Sequence, residues 1–185
     1  MKSGAVLKRV VRSAVFALVA IASIAHASKA DQEHEVKAAF IANFIKFIDW
    51  PDLGAPGSKF IVGVYGADDY GNTIDIALSG RSISGHPIVV QQIHSDSEIK
   101  KCRIVVSGAT SEDRIYHLER LCDGTGTVLI GDSDDFARYG GAIGFLVLNS
   151  QVRFDVNLDA VKRSGASISS KLLSLAHEVY RESGD

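Results

Sequence analysis

Two cysteines, six histidines and a cluster of aspartates are the residues of this 185-residue chain whose types could do chemistry. A serine nucleophile would need Gly-x-Ser-x-Gly between a strand and a helix. The nearest strings are Gly80-Arg81-Ser82-Ile83-Ser84-Gly85 and Val106-Ser107-Gly108, and neither fits. A phosphate-cradling loop needs glycines that open a helix. Gly124-x-Gly126 precedes a strand instead, so these read as turn glycines. His34, His86, His94, His117 and His177 show no helical ligand spacing, which points away from a zinc site built on one helix. Asp132, Asp134 and Asp135 follow an apolar run. Three acids at a strand end could hold a divalent cation. The favoured reading is that Ser133 or Asp134 caps a short helix and the other acids face its dipole. The expectation is a protein that is not an enzyme, with no catalytic residues, no cofactor and no metal.

The elements that would position these residues follow from periodicity. Val36, Phe40, Phe44 and Phe47 recur at helical spacing, so residues 31–49 read as a helix that Trp50-Pro51 ends. Phe60–Tyr65, Ile88–Ile93, Ile104–Ser107 and Thr127–Ile130 read as strands. Helices are expected up to Leu78, from Thr110 or Ser111 to Cys122, and over 133–139, where Gly140-Gly141 stops the last. Ile143–Leu148 and Gln151–Val156, joined by Asn149-Ser150, read as a hairpin. A final helix is expected from Ser169 to Arg181. Alternating strands and helices predict an α/β three-layer sandwich. Its sheet would be mostly parallel, with a C-terminal β-hairpin and flanking helices. One domain is expected over 31–182.

In that arrangement Cys102 enters a strand and Cys122 ends the next helix, so both return to one edge of the sheet. A Cys102–Cys122 disulfide is expected there. Closing a loop of roughly 20 residues would contribute about 3 kcal/mol in the chain-entropy account. Two buried free thiols are the alternative.

The first 27 residues stand apart. Lys2, Lys8, Arg9 and Arg12 precede an uncharged run from Ser13 to Ala25, and Ala25-His26-Ala27 offers a cleavage site. Residues 1–27 therefore read as a cleavable signal peptide, with Ala30/Asp31 as a second cleavage point. The apolar run is short of the ~20 residues that span a bilayer. Four of the 20 basic residues leave with it and all 22 acids stay, which gives a mature net charge of −6. Such a chain lacks the basic face that nucleic acid requires.

What remains is apolar surface. Phe40, Phe44, Phe47 and Trp50 crowd the first helix. Large apolar residues on an outer helix suit a partner surface; the same residues equally suit a core.

The segments VKAAFIANFIKFIDWP (36–51), FARYGGAIGF (136–145), VRFDVNLDAVKRSG (152–165) and ISSKLLSLA (168–176) resemble, in order, blocks of the YfiR family. Ala42 stands where an aromatic is common, Ala142 where Met is common and Ala166 where Leu is common. The resemblance implies a periplasmic repressor that binds the sensor domain of an inner-membrane diguanylate cyclase. It would thereby modulate cyclic-di-GMP signalling and biofilm formation. It also implies release by an outer-membrane lipoprotein, dimers and a redox-sensitive disulfide. A periplasmic small-molecule-binding module is the alternative, using the loops Gly66–Asp69, Gly108–Ser111 and Gly131–Asp135 at the strand ends.

Overall fold

A computed structural model describes residues 28–181. The expected signal peptide lies outside them. Helix α1 (Lys29–Phe47) leads into the two-residue strand β1 (Ile48–Asp49). Then come β2 (Phe60–Tyr65), α2 (Asp68–Leu78), β3 (Ser82–Ile83), β4 (His86–Gln92), α3 (Asp96–Ile99), β5 (Ile104–Ser107) and α4 (Glu112–Cys122). The second half holds β6 (Val128–Gly131), β7 (Ile143–Leu148), β8 (Gln151–Asn157), α5 (Leu158–Ser164), β9 (Ser167–Ile168), α6 (Ser170–Leu173) and β10 (Val179–Tyr180).

Eight strands form one sheet in the order β10-β8-β7-β6-β5-β2-β4-β3. Neighbours from β4 to β7 run parallel, and β7 and β8 pair antiparallel as the expected hairpin. Asn149 and Ser150 both take positive φ, 50° and 61°, as a two-residue hairpin turn of the right twist demands. The sheet is covered on both faces. One face carries Val62, Val64, Ile104, Val106, Ile130 and Phe154 into a cluster with α1 and α2. The other carries Val105 and Leu129 into a cluster with α3, α4 and Phe136. The strands β5 and β6 are buried on both faces, which explains why they read as unbroken apolar runs.

Three expected elements differ. The first helix gives up its last two residues to β1, where Ile48 pairs with Ile168 and Asp49 with Ser167. Residues 133–139 are a chain of turns, not a helix; Asp135 takes φ 60°, a conformation no right-handed helix tolerates. The final helix stops at Leu173. Beyond it the open edge of β8 takes the chain: the His177 amide donates to the Phe154 carbonyl and the Val156 amide to the Glu178 carbonyl. Unpaired strand groups outcompete a helical stripe there. The short elements β3, α3, α5 and β9 had no counterpart among the expected ones. Helix α5 is capped by Asn157, whose side chain accepts from the Ala160 amide at 2.9 Å, and is closed by Gly165 at φ 94°. Both capping residues are visible in the sequence.

Candidate functional site

The parallel strands run β4-β2-β5-β6-β7, and the direction of winding reverses between β2 and β5. Ligands of open α/β sheets bind outside the carboxyl ends at such a point. Here the two loops touch. The Gly108 amide donates to the Tyr65 carbonyl at 3.0 Å. A Cβ on Gly108 would lie 1.9 Å from the Gly66 carbonyl oxygen. Backbone against backbone narrows the crevice, and polar clusters flank it on both faces of the sheet.

On the α4 side, Asp96 at the start of α3 gathers three partners. Arg114 donates to its carboxylate at 2.9 Å, the Tyr65 hydroxyl donates at 3.0 Å, and His117 Nε2 stands 2.7 Å away. Arg114 also lies over the Tyr65 ring, 5.1 Å from its centroid. The Arg114 and His117 hydrogen bonds hold the Asp96 carboxyl at about 2, below its ordinary 3.8. A carboxyl depressed in the folded state adds stability above its unfolded value and loses it as pH falls. The window therefore runs from about 4 down to about 2. Acid unfolding of Asp96→Asn, followed by circular dichroism, is expected to be less steep than wild type in that window. Equal slopes would remove the cluster's part in acid stability.

On the α1 side, Lys37 is 2% exposed. Its ammonium donates to Asp132 at 2.5 Å and to Glu33 one turn earlier. Burial pushes the Asp132 carboxyl up in spite of Lys37. Tyr70 stacks on His34 at 5.1 Å. Its buried hydroxyl has no hydrogen-bond partner among the described residues, and burial raises its pKa. The Asp132 carboxylate thus serves an ion pair and does not face a helix dipole, which corrects the expected role of that residue.

A hydrolytic arrangement would need serine, histidine and acid in mutual reach. Ser58 Oγ does lie 3.1 Å from His86 Nδ1. That nitrogen is also 2.9 Å from the Ser58 carbonyl. A carbonyl only accepts, so Nδ1 carries the proton and is no base for the hydroxyl. The Ser58 hydroxyl donates to the Leu53 carbonyl at 2.8 Å.

The expected site residues divide. Phe44 is wholly buried, with its ring 4.9 Å from Phe154 and 5.8 Å from Phe145. It belongs to the core, which corrects its place on a partner surface. Phe40, Phe47 and Trp50 are half-buried and packed on the same cluster. Trp50 meets the edge of Phe60 and donates Nε1–H to the Ile45 carbonyl at 3.2 Å. Lys171 Nζ stands over the Phe47 ring, 5.3 Å from its centroid. Cys102 and Cys122 do fall in one cluster on one face of the sheet, as the crossover geometry implies. The expected bond between them is not formed in this structure: both are free thiols. Burial pushes them up to about 11 and about 12, so neither is a ready nucleophile. Ala42, Ala142 and Ala166 are all buried, so the departures from the family pattern fall in the core. A cavity of about 530 Å³ lies away from the crevice, lined by Tyr116, Tyr139 and Tyr180 with Arg138 and Arg163.

The strand order and the two-sided covering define a doubly wound α/β domain of the flavodoxin-like order. Within that class, the chain belongs to the YfiR/HmsC-like family, which it matches over residues 34–177. This is a family of periplasmic regulators acting in diguanylate cyclase signalling. The chain is similar to two solved structures. A conserved domain protein of Vibrio cholerae O1 biovar El Tor superposes with a TM-score of 0.53 at 10% identity, over 80% of this chain and 60% of that one. The ABC domain in complex with L-Trp from Streptococcus pneumonia gives 0.49 at 12% identity, over 77% and 62%. The chain thus spans about six tenths of the length of each. At 10% identity the likeness to the Vibrio cholerae protein speaks for the fold alone. Among the described residues, no helix is long and apolar enough to cross a membrane.

Proposed function

We propose that the protein binds the periplasmic sensor domain of an inner-membrane diguanylate cyclase and holds it inactive, lowering cyclic-di-GMP and biofilm formation. Membership of the YfiR/HmsC-like family over residues 34–177 is the observation that carries this reading. Repression of this kind needs no active site. A protein that binds only the inactive state of a receptor shifts its population by the difference in affinity. An outer-membrane lipoprotein competing for the same surface would reverse it. A homodimer and export through a cleavable signal peptide complete the proposal.

The docking surface we assign is the outer flank of α1. Its inner face is occupied by the core, but Val36 is 44% exposed, and Phe40 one turn on and Phe47 two turns further are only part-buried. Together they make a narrow apolar strip one side of which is already rigid. Hot-spot residues act from such well-packed positions.

Affinity-tagged protein incubated with solubilised inner membranes is expected to retain the cyclase. Val36→Asp, at an exposed position, is expected to lose most of that capture with an unchanged melting temperature. If wild type retains no cyclase, the repressor reading fails. If wild type and Val36→Asp retain it equally, the α1 flank is not the surface.

A further inference from the structure

Ligand atoms from different strands can meet where no spacing along one helix shows it. Asp155 lies on β8, with Gly144 of β7 paired beside it. His177 and Glu178 stand immediately before β10. Two backbone bonds clamp them there: His177 N–H to the Phe154 carbonyl at 2.8 Å, and Val156 N–H to the Glu178 carbonyl at 2.9 Å. Asp155 Oδ1 accepts the Glu178 amide at 3.0 Å and lies 3.0 Å from His177 Nδ1.

We propose that Asp155, His177 and Glu178 form a binding site for a divalent transition-metal ion, with Zn²⁺ as the type, which ties the C-terminal strand to the sheet. One ligand atom from each residue lies within 4.8 Å of the others. Around a tetrahedral ion with bonds of about 2.0–2.2 Å, ligand atoms stand about 3.3–3.6 Å apart. The His177–Asp155 pair, at 3.0 Å, needs to open by only a few tenths of an ångström to reach that spacing. The exposed Glu178 side chain closes the set by rotation about its own bonds. The ion binds through the Nδ1 lone pair, so the neutral imidazole takes the tautomer whose one proton is on Nε2.

The donor chemistry selects the metal. Mg²⁺ and Ca²⁺ take all-oxygen shells, whereas an imidazole with carboxylates suits zinc and its neighbours. The surroundings also fit. The Tyr180 hydroxyl donates to Glu178 Oε2 at 3.0 Å, the kind of outer contact that orients a ligating carboxylate. A cavity of about 160 Å³ adjoins Asp155, with Asp134 and Asp135 also on its wall, so the approach is acidic. Gly144 puts no side chain beside the carboxylate.

Chelator-treated, tag-free mature protein would be titrated with Zn²⁺ by calorimetry and melted in parallel. One ion per chain is expected, with a melting temperature that rises with free Zn²⁺. His177→Ala and Glu178→Gln should each weaken binding more than about tenfold, and Tyr180→Phe by about tenfold. The exposed His94, replaced by alanine, should leave it unchanged. Glu178→Gln keeps the backbone clamp, so it decides the matter if His177→Ala misfolds. The proposal is overturned by an absence of heat and of stabilisation. It is overturned equally by Zn²⁺ binding that Glu178→Gln leaves intact, by binding lost only when Cys102 and Cys122 become serine, or by equal binding of Ca²⁺ or Mg²⁺.

Discussion

Phe44→Ala is expected to destabilise the domain by about 3–5 kcal/mol, the range for a fully buried phenylalanine. The site sets the value near the top of that range. The ring is wholly buried and packs on three others: Phe154 at 4.9 Å edge-on, Phe145 at 5.8 Å and Phe40 at 5.9 Å. Such aromatic pairs add about 0.5–1.5 kcal/mol each beyond area. Two of these partners, Phe145 and Phe154, sit on the hairpin β7–β8 and the third on α1 itself, so the cavity is walled from two elements and collapses poorly. The melting temperature should fall by roughly 6–20 °C in a domain of this size. Val36→Ala, one face away on the same helix, should change stability by less than about 0.5 kcal/mol. The pair of measurements separates core from docking flank. A loss under about 1 kcal/mol for Phe44→Ala would mean that α1 is seated with the other face inward, and the surface assigned to the cyclase would move with it.

That ambiguity shows what a sequence can and cannot disclose here. The spacing of Val36, Phe40, Phe44 and Phe47 establishes an amphipathic helix, but periodicity carries no count of how many sides are covered. A sheet face receives α1, and its reach over Phe44 and its part-cover of Phe40 depend on where Phe145 and Phe154 arrive from a hairpin a hundred residues later. Phe60–Tyr65 and Ile104–Ser107 were legible to the residue because short apolar runs between turn signals have few other solutions. The final helix was not. Its stripe of Leu172, Leu173 and Ala176 is real, yet the free edge of β8 offers the backbone of residues 177–180 a better set of partners. Local preference loses to strand pairing there. The same event creates the His177–Asp155 proximity, 22 residues apart in sequence, which no spacing rule along one element could reveal. Likewise Lys37 and Asp132 meet across 95 residues of chain.

The block FARYGGAIGF has a steric explanation, and it yields the second large effect. Phe136 is 1% exposed and sits against glycines of three different segments. A Cβ on Gly131 would fall 2.0 Å from its ring, one on Gly141 2.1 Å away, and one on Gly144 3.0 Å from its Cβ. The glycines clear the volume that the ring fills. They also explain the chain of turns over 133–139, because a helix would not deliver Phe136 into this cradle. Gly131→Ala is therefore expected to cost about 3 kcal/mol, at the upper end of overpacking, since the ring has no open side to yield toward. The sign should reverse when the ring is removed. Glycine inside a strand is disfavoured by roughly 0.5–1 kcal/mol relative to alanine. In a Phe136→Ala background, Gly131→Ala on β6 should then be neutral or slightly stabilising. Urea unfolding of the four proteins closes the cycle, and the coupling between the two positions should approach about 3 kcal/mol in magnitude. If Gly131→Ala costs the same with and without the ring, the glycine is kept for some other reason and the cradle is not what shapes this turn.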